Sequence, residues 1–262
     1  MIVDIYPECG LPVQLDDVNY RLIMDESLME NDPDIRKLEE LRPVLYEKNI
    51  RAPKELYSLF NDAGRPEARI FLRKHGLRYD LAVMPPLKLG TEYIKTIGHY
   101  HTICPGKNIP FAEVYEIVQG AAHFILQKQD AGDCKIVNDI IWIQARKGDR
   151  LVMPPDYAHV TINPGPEALV LSNLAAASGG HSYARIVEMG GMAFYDIECQ
   201  GKPKLVKNSN YKNPPQIRRV SFKSLASFGV NPDQPIYSSA TSGPQKFRFI
   251  TEPQDYRPLF EA

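Results

Sequence analysis

Thr91-Glu92-Tyr93-Ile94-Lys95-Thr96-Ile97-Gly98-His99-Tyr100-His101 follows the turn residue Gly90 and is rich in β-branched and aromatic side chains, the composition of a strand. Residues two apart on a strand leave the same face, so the imidazoles of His99 and His101 can converge on one ion. The run Glu113 to Val118 repeats the two-residue step at Glu113 and Tyr115, and His159 follows Pro154-Pro155 where another strand-like run begins. Taken alone, a His-x-His pair is as readily two packing or solvated histidines. Its context favours a site: Gly98 permits close approach, Glu113 arrives after a loop, and three of the six histidines occupy these slots. Neutral imidazoles with one carboxylate suit a divalent iron, manganese, nickel or zinc ion, and the donor set does not choose among them.

Outward from this stretch, strand-like runs follow one another from Leu77 to Met189. They are Arg78 to Met84, Glu92 to Thr102, Glu113 to Gln119, Ala122 to Gln127, Ile136 to Gln144, Arg150 to Met153, His159 to Asn163, Leu169 to Asn173 and Ser182 to Val187. Pro85-Pro86, Pro105-Gly106, Gly120, Gly132-Asp133, Gly148-Asp149 and Pro164-Gly165 punctuate them. Many short strands with such punctuation predict an all-β core closed as a jelly roll. The spacing of Ile35, Leu38, Leu41 and Leu45 predicts an amphipathic helix over 30–46, with Asp32 as N-cap and Pro33 at its first position. A second helix is expected over 53–60. Beyond Gly190 the prolines break the pattern, leaving an irregular arm with short strands at 220–225 and 246–250. The expected organisation is a partly helical extension (1–76), a barrel carrying the site (77–190) and a Pro-rich arm (191–262).

The 262 residues suffice for a sizeable core, and 31 basic against 32 acidic residues give a net charge of -1. Nothing in that balance favours nucleic acid or a membrane surface, so a small-molecule partner is expected. Cys9, Cys104, Cys134 and Cys199 are widely spaced, which predicts reduced thiols in the cytoplasm rather than a disulfide framework. The start, Met1 to Pro7, shows no basic leader with an apolar core, and no apolar run approaches a membrane span.

Thr96-x-Gly98-His99-x-His101, Glu113-Val114-Tyr115, Gly120, Gly148-Asp149, Pro154-Pro155-x-x-Ala158-His159-x-Thr161-x-Asn163 and Gly180-His181-x-Tyr183 together resemble the paired motifs of the cupin superfamily. More narrowly, they resemble the archaeal cupin-type glucose-6-phosphate isomerase family, over roughly Leu77 to Gly190. The resemblance implies a cupin double-stranded β-helix forming a homodimer, with one divalent metal ion per subunit held by His99, His101, Glu113 and His159. Thr96, Gly98 and Tyr183 would face the phosphate of a sugar phosphate. The implied reaction interconverts glucose 6-phosphate and fructose 6-phosphate by moving hydrogen between C1 and C2. A proton route through a carboxylate at Glu113 and a direct hydride shift both fit these residues.

Glu113, His181 and Tyr115 are the candidate catalytic residues. Glu113 carries two competing duties, because a carboxylate on a dication loses basicity. Tyr115 shares its parity and can reach a sugar oxygen or simply pack, whereas Glu116 points to the other face. His181 follows Ser178-Gly179-Gly180 and is a candidate for ring opening or proton relay, against an exposed loop histidine. His75 and His123 match no motif position and are structural. Two departures from the family pattern stand out: Ala82 in place of a phosphate-binding threonine, and Ala175 in place of a tyrosine. Lys88, Lys95 and Arg185 are the cations available to compensate, though strand parity turns Lys95 away from Thr96. The departures keep two other readings open, a sugar-binding cupin without catalysis and an iron-dependent cupin dioxygenase.

Overall fold

The computed structural model describes residues 1–28, 32–220 and 224–261. Two antiparallel sheets face each other across an apolar interior, forming the expected cupin-type barrel. The larger has six strands in the order Arg150–Met153, Glu113–Gln119, Leu169–Ala176, Leu77–Met84, Glu55–Phe60 and Asp34–Lys37. The smaller runs Ala158–Ile162, Ala121–Gln129, Val137–Arg146, with the short Arg218–Arg219 strand added in parallel at its edge.

Alternation along each strand builds the layers. Tyr115 and Ile117 enter the barrel with Phe124, Leu126, Leu151, Met153 and Leu171. Val114 and Val118, one step off, leave the opposite face and pack with Ile236, Phe247, Phe249 and Ile250 of the C-terminal arm. Each fully buried phenylalanine there contributes about 1.5–3 kcal/mol. Glu116 shares that outer face, as its parity predicted. It is buried, accepts a 2.5 Å bond from Arg150 Nε, and takes further bonds from Ser172 Oγ and the Ile236 N–H. A third apolar cluster covers the outside of the smaller sheet, where Trp142, Val160 and Ile162 meet Met189, Met192, Phe194 and Tyr211.

Several expected elements differ. The 30–46 segment, whose residues 30 and 31 lie outside the described ones, forms an edge strand at Asp34–Lys37, one helical turn at Leu38–Leu41 and a 3-10 turn at Arg42–Val44. The helix therefore starts beyond Asp32 and Pro33, with Lys37 as its N-cap, and Pro43 stops it. The 53–60 helix is instead the strand Glu55–Phe60, because ladders on both sides satisfy its backbone. The helix Pro66–Lys74 was missed, although Pro66 opens it, Glu67 sits in its first turn and Arg73 and Lys74 in its last. The run 182–187 is a two-residue strand, His181–Ser182, followed by the helix Ala184–Glu188.

In the arm, residues 221–223 fall outside the described ones, Leu225–Phe228 is a 3-10 turn, and 246–250 lies in helical turns. A hairpin at Phe194–Cys199 and Lys202–Lys207 was also missed. Among the described residues no helix is long and apolar enough to cross a membrane. All four cysteines are free thiols.

Candidate metal centre

Gly98 interrupts the strand that the histidines were expected to share. Its φ of +84° lies where a side chain is strained, and regular pairing resumes only at Tyr100–His101. The break seats His99 against the smaller sheet, where its N–H and C=O exchange bonds of 3.2 and 3.1 Å with those of His159. His101 pairs instead with His181 on the short strand beside it. Glu113 arrives from the larger sheet, so the gap between the sheets closes around one point.

His99, His101, Glu113 and His159 bring one ligand atom each within 4.8 Å of one another. Glu113 and His159 are each 1% exposed and His99 9%. The Nδ1 of His101 lies 2.8 Å from the Phe111 carbonyl, which can only accept, so that nitrogen carries the proton. Its Nε2 then directs a lone pair at Glu113 Oε2, 3.0 Å away. Two acceptors this close require a positive charge between them, a proton or a metal ion. His99 Nε2 and His159 Nδ1 are buried without a hydrogen-bond partner.

Burial, reinforced by the neighbouring imidazoles, pushes His99 well below its ordinary range, and burial also lowers His159 against the pull of Glu113. Burial raises the Glu113 carboxyl, but hydrogen bonds and charge from His101 and His159 outweigh it and hold the group well below the usual carboxylate range. Unprotonated imidazoles at His99 and His159 beside an ionised carboxylate are the protonation states metal ligation requires. The donor set therefore fits a divalent cation.

A cavity of about 280 Å³ opens from this cluster, lined among others by Arg36, Arg78, Thr96, His181 and Tyr183. Thr96 anchors one wall, its hydroxyl accepting the Thr161 N–H at 3.0 Å. Tyr115 reaches the site with its hydroxyl 3.3 Å from His159 Nε2. Burial raises that phenol well above its usual range, so it remains a donor. The His181 ring centroid is 4.2 Å from that of His99, and Tyr183 lies beyond it. Part of the His181 ring meets solvent; desolvation of the remainder pushes its pKa down to about 4. Gly98 supports His99 from beside the cavity, with Met192 and Val160 against it.

The compensating cations proposed from sequence are engaged elsewhere. Lys95 is buried between Glu92 and the Val44 carbonyl, Lys88 pairs with Glu198, and Arg185 bonds the Asp130 carbonyl. The cavity is lined instead by Arg36, which pairs with Asp34 and Glu40, and by Arg78, which pairs with Asp80; sequence reasoning missed both. Arg36 comes from the edge strand mistaken for helix. Arg78 stands directly opposite Ala175 in the ladder, and Asn173 stands opposite Asp80. His123 and His75 lie away from the cluster, on Asp196 and the Phe71 carbonyl.

Residues 34–214 match the family described as glucose-6-phosphate isomerase (GPI). The chain belongs to that family. The glucose-6-phosphate isomerase of Pyrococcus furiosus is 33% identical over 136 residues, 52% of this chain and 65% of the relative. The enzyme of that name from Thermococcus gammatolerans is 30% identical over 182 residues, 68% of this chain and 86% of the relative. Sinorhizobium medicae has a glucose-6-phosphate isomerase 30% identical over 141 residues, 53% of this chain and 60% of its own length. The match to the Pyrococcus furiosus enzyme spans about two thirds of that relative. The GPI match includes all four clustered donors and both arginines of the cavity.

Proposed function

We propose that the chain interconverts glucose 6-phosphate and fructose 6-phosphate, with one divalent iron, manganese, nickel or zinc ion held by His99, His101, Glu113 and His159. The observation that carries this reading is the opposition of two lone pairs at His101 and Glu113, joined by His159 Nε2 at 3.4 Å from the same Glu113 oxygen and by the unpartnered Nε2 of His99. GPI membership supplies the substrate class. A bound divalent ion would supply Lewis-acid polarisation of the sugar's carbonyl and hydroxyl oxygens.

The chain's own groups divide the remaining work. Arg36, Thr96 and Tyr183 line the cavity and offer a guanidinium and two hydroxyls to the phosphate. Gly98 holds that wall close to His99. Ala82 packs in the apolar interior of the barrel, and Arg36 supplies the phosphate a charge-assisted bond of about 1.5–3 kcal/mol, against 0.5–1.5 for a neutral hydroxyl. His181, neutral at pH 7, accepts and returns a sugar hydroxyl proton at its unprotonated ring nitrogen. Tyr115 donates its O–H, and Glu113 acts as an ionised oxygen beside C1 and C2. A homodimer belongs to the same proposal and is read by light scattering.

The test follows hydrogen transfer in metal-replete protein with glucose 6-phosphate, fructose 6-phosphate and the unphosphorylated hexoses. The reading predicts turnover of both phosphates and at least about tenfold lower kcat/KM without the phosphate, the loss expected from one charge-assisted bond. Binding without turnover would overturn it in favour of a sugar-binding role.

A further inference from the structure

Asn173 lies between two buried carboxylates. Three neighbouring strands place Tyr115, Asn173 and Asp80 in one cross-strand row, and Glu113 is two residues before Tyr115 on the same face. The Asn173 amide nitrogen donates to Glu113 Oε1 at 2.6 Å and to Asp80 Oδ2 at 3.1 Å. Asp80 is held in turn by Arg78 Nε at 3.0 Å and by the Asp62 N–H at 2.7 Å. Ionised carboxylates accept and do not donate, so the amide can turn only its NH2 toward them.

We propose that Asn173 is a positioning residue that makes Glu113 a one-oxygen ligand, with the chain Arg78, Asp80, Asn173 as its anchor. The inference rests on the metal-centre reading and goes beyond it. Oε2 is the Glu113 oxygen turned toward His101 and His159, at 3.0 and 3.4 Å. Oε1 is withdrawn from them by the amide, whose second hydrogen is tied to Asp80 so that it cannot swing away. The ladder position opposite Arg78 is Ala175, whose small side chain leaves room for the guanidinium beside His181. The departure that removes a tyrosine at Ala175 thus coincides with an anchored carboxylate. Partners that orient a ligand commonly contribute 10–100-fold to metal affinity.

The test loads cobalt(II) onto metal-free protein, reading affinity by chelator competition and coordination number by visible d–d absorption, which weakens as ligands are added and the site approaches a centre of symmetry. In Asn173→Leu, close in shape but without a donor, Oε1 is free to join the ion. The expected result is at least about tenfold weaker cobalt binding with reduced d–d intensity. Asn173→Ala is read identically if the leucine variant does not fold, and Asp80→Ala, which removes the amide's second anchor, should give a smaller shift in the same direction. A purely structural asparagine would lower the melting temperature and leave affinity and spectrum unchanged. That result in any folded variant overturns the inference. Failure of the wild type to bind cobalt(II), manganese(II) or zinc(II) overturns the metal centre itself, a different outcome from equal binding by wild type and variants.

Discussion

His101 Nε2 faces Glu113 Oε2 at 3.0 Å while the opposite nitrogen of the ring is engaged by the Phe111 carbonyl. Removing the acidic partner while keeping its shape tests this arrangement. Glu113→Gln should lower kcat/KM for fructose 6-phosphate by about 100-fold or more, the scale of losing an acid-base group, and should weaken metal retention on a chelating column. Wild-type retention in the variant would show that Glu113 is not a ligand.

Arg36 is the cation expected to receive phosphate. Arg36→Ala should raise KM for glucose 6-phosphate about 10–100-fold, the equivalent of a charge-assisted bond, with a smaller change in kcat. Arg36→Lys should recover part of the loss, since a point charge replaces the fork. An unchanged KM would place the phosphate elsewhere in the cavity.

Gly98 sets the position of His99 through a φ of +84°. A Cβ there would stand 3.3 Å from Met192 Sδ. Gly98→Ala should cost about 1–2 kcal/mol from left-handed backbone strain, read as a lower midpoint in urea with an unchanged slope. Wild-type stability would show that this turn relaxes without cost.

Glu116 ties the C-terminal arm to the barrel through Arg150 and the Ile236 N–H. Glu116→Ala leaves the Arg150 guanidinium only the Gly148 and Pro232 carbonyls as acceptors and should cost about 1–3 kcal/mol. Limited proteolysis should then cut first within residues 224–261. Unchanged stability and cleavage would mean that Glu116 does not hold the arm.

The barrel was legible in sequence because its strands are rich in Val, Ile, Tyr and Thr and are separated by Gly and Pro. The four clustered donors were legible because Gly98 and the Pro-Pro turn mark where backbone must approach. Alternation also assigned Glu116 to the outer face. Residues 34–37 and 55–60 were misread because pairing with distant strands overrode their local pattern. Arg36, Arg78, Asp80 and Asn173 escaped notice for a related reason. Their roles depend on which strands neighbour which, and one sequence does not display that register. The arm from Gly190 was obscured by prolines, which here open short helical turns as well as ending strands.

Hexose-phosphate isomerisation by this chain is proposed to depend on an ion held by three histidines and Glu113. The most direct measurement is turnover of fructose 6-phosphate by protein stripped with a chelator, dialysed, and then reloaded separately with iron(II), manganese(II), nickel(II) or zinc(II). Stripping should abolish turnover, and one or more of these ions should restore it. Full activity in protein shown to be metal-free, or no activity with any of the four ions, would contradict it.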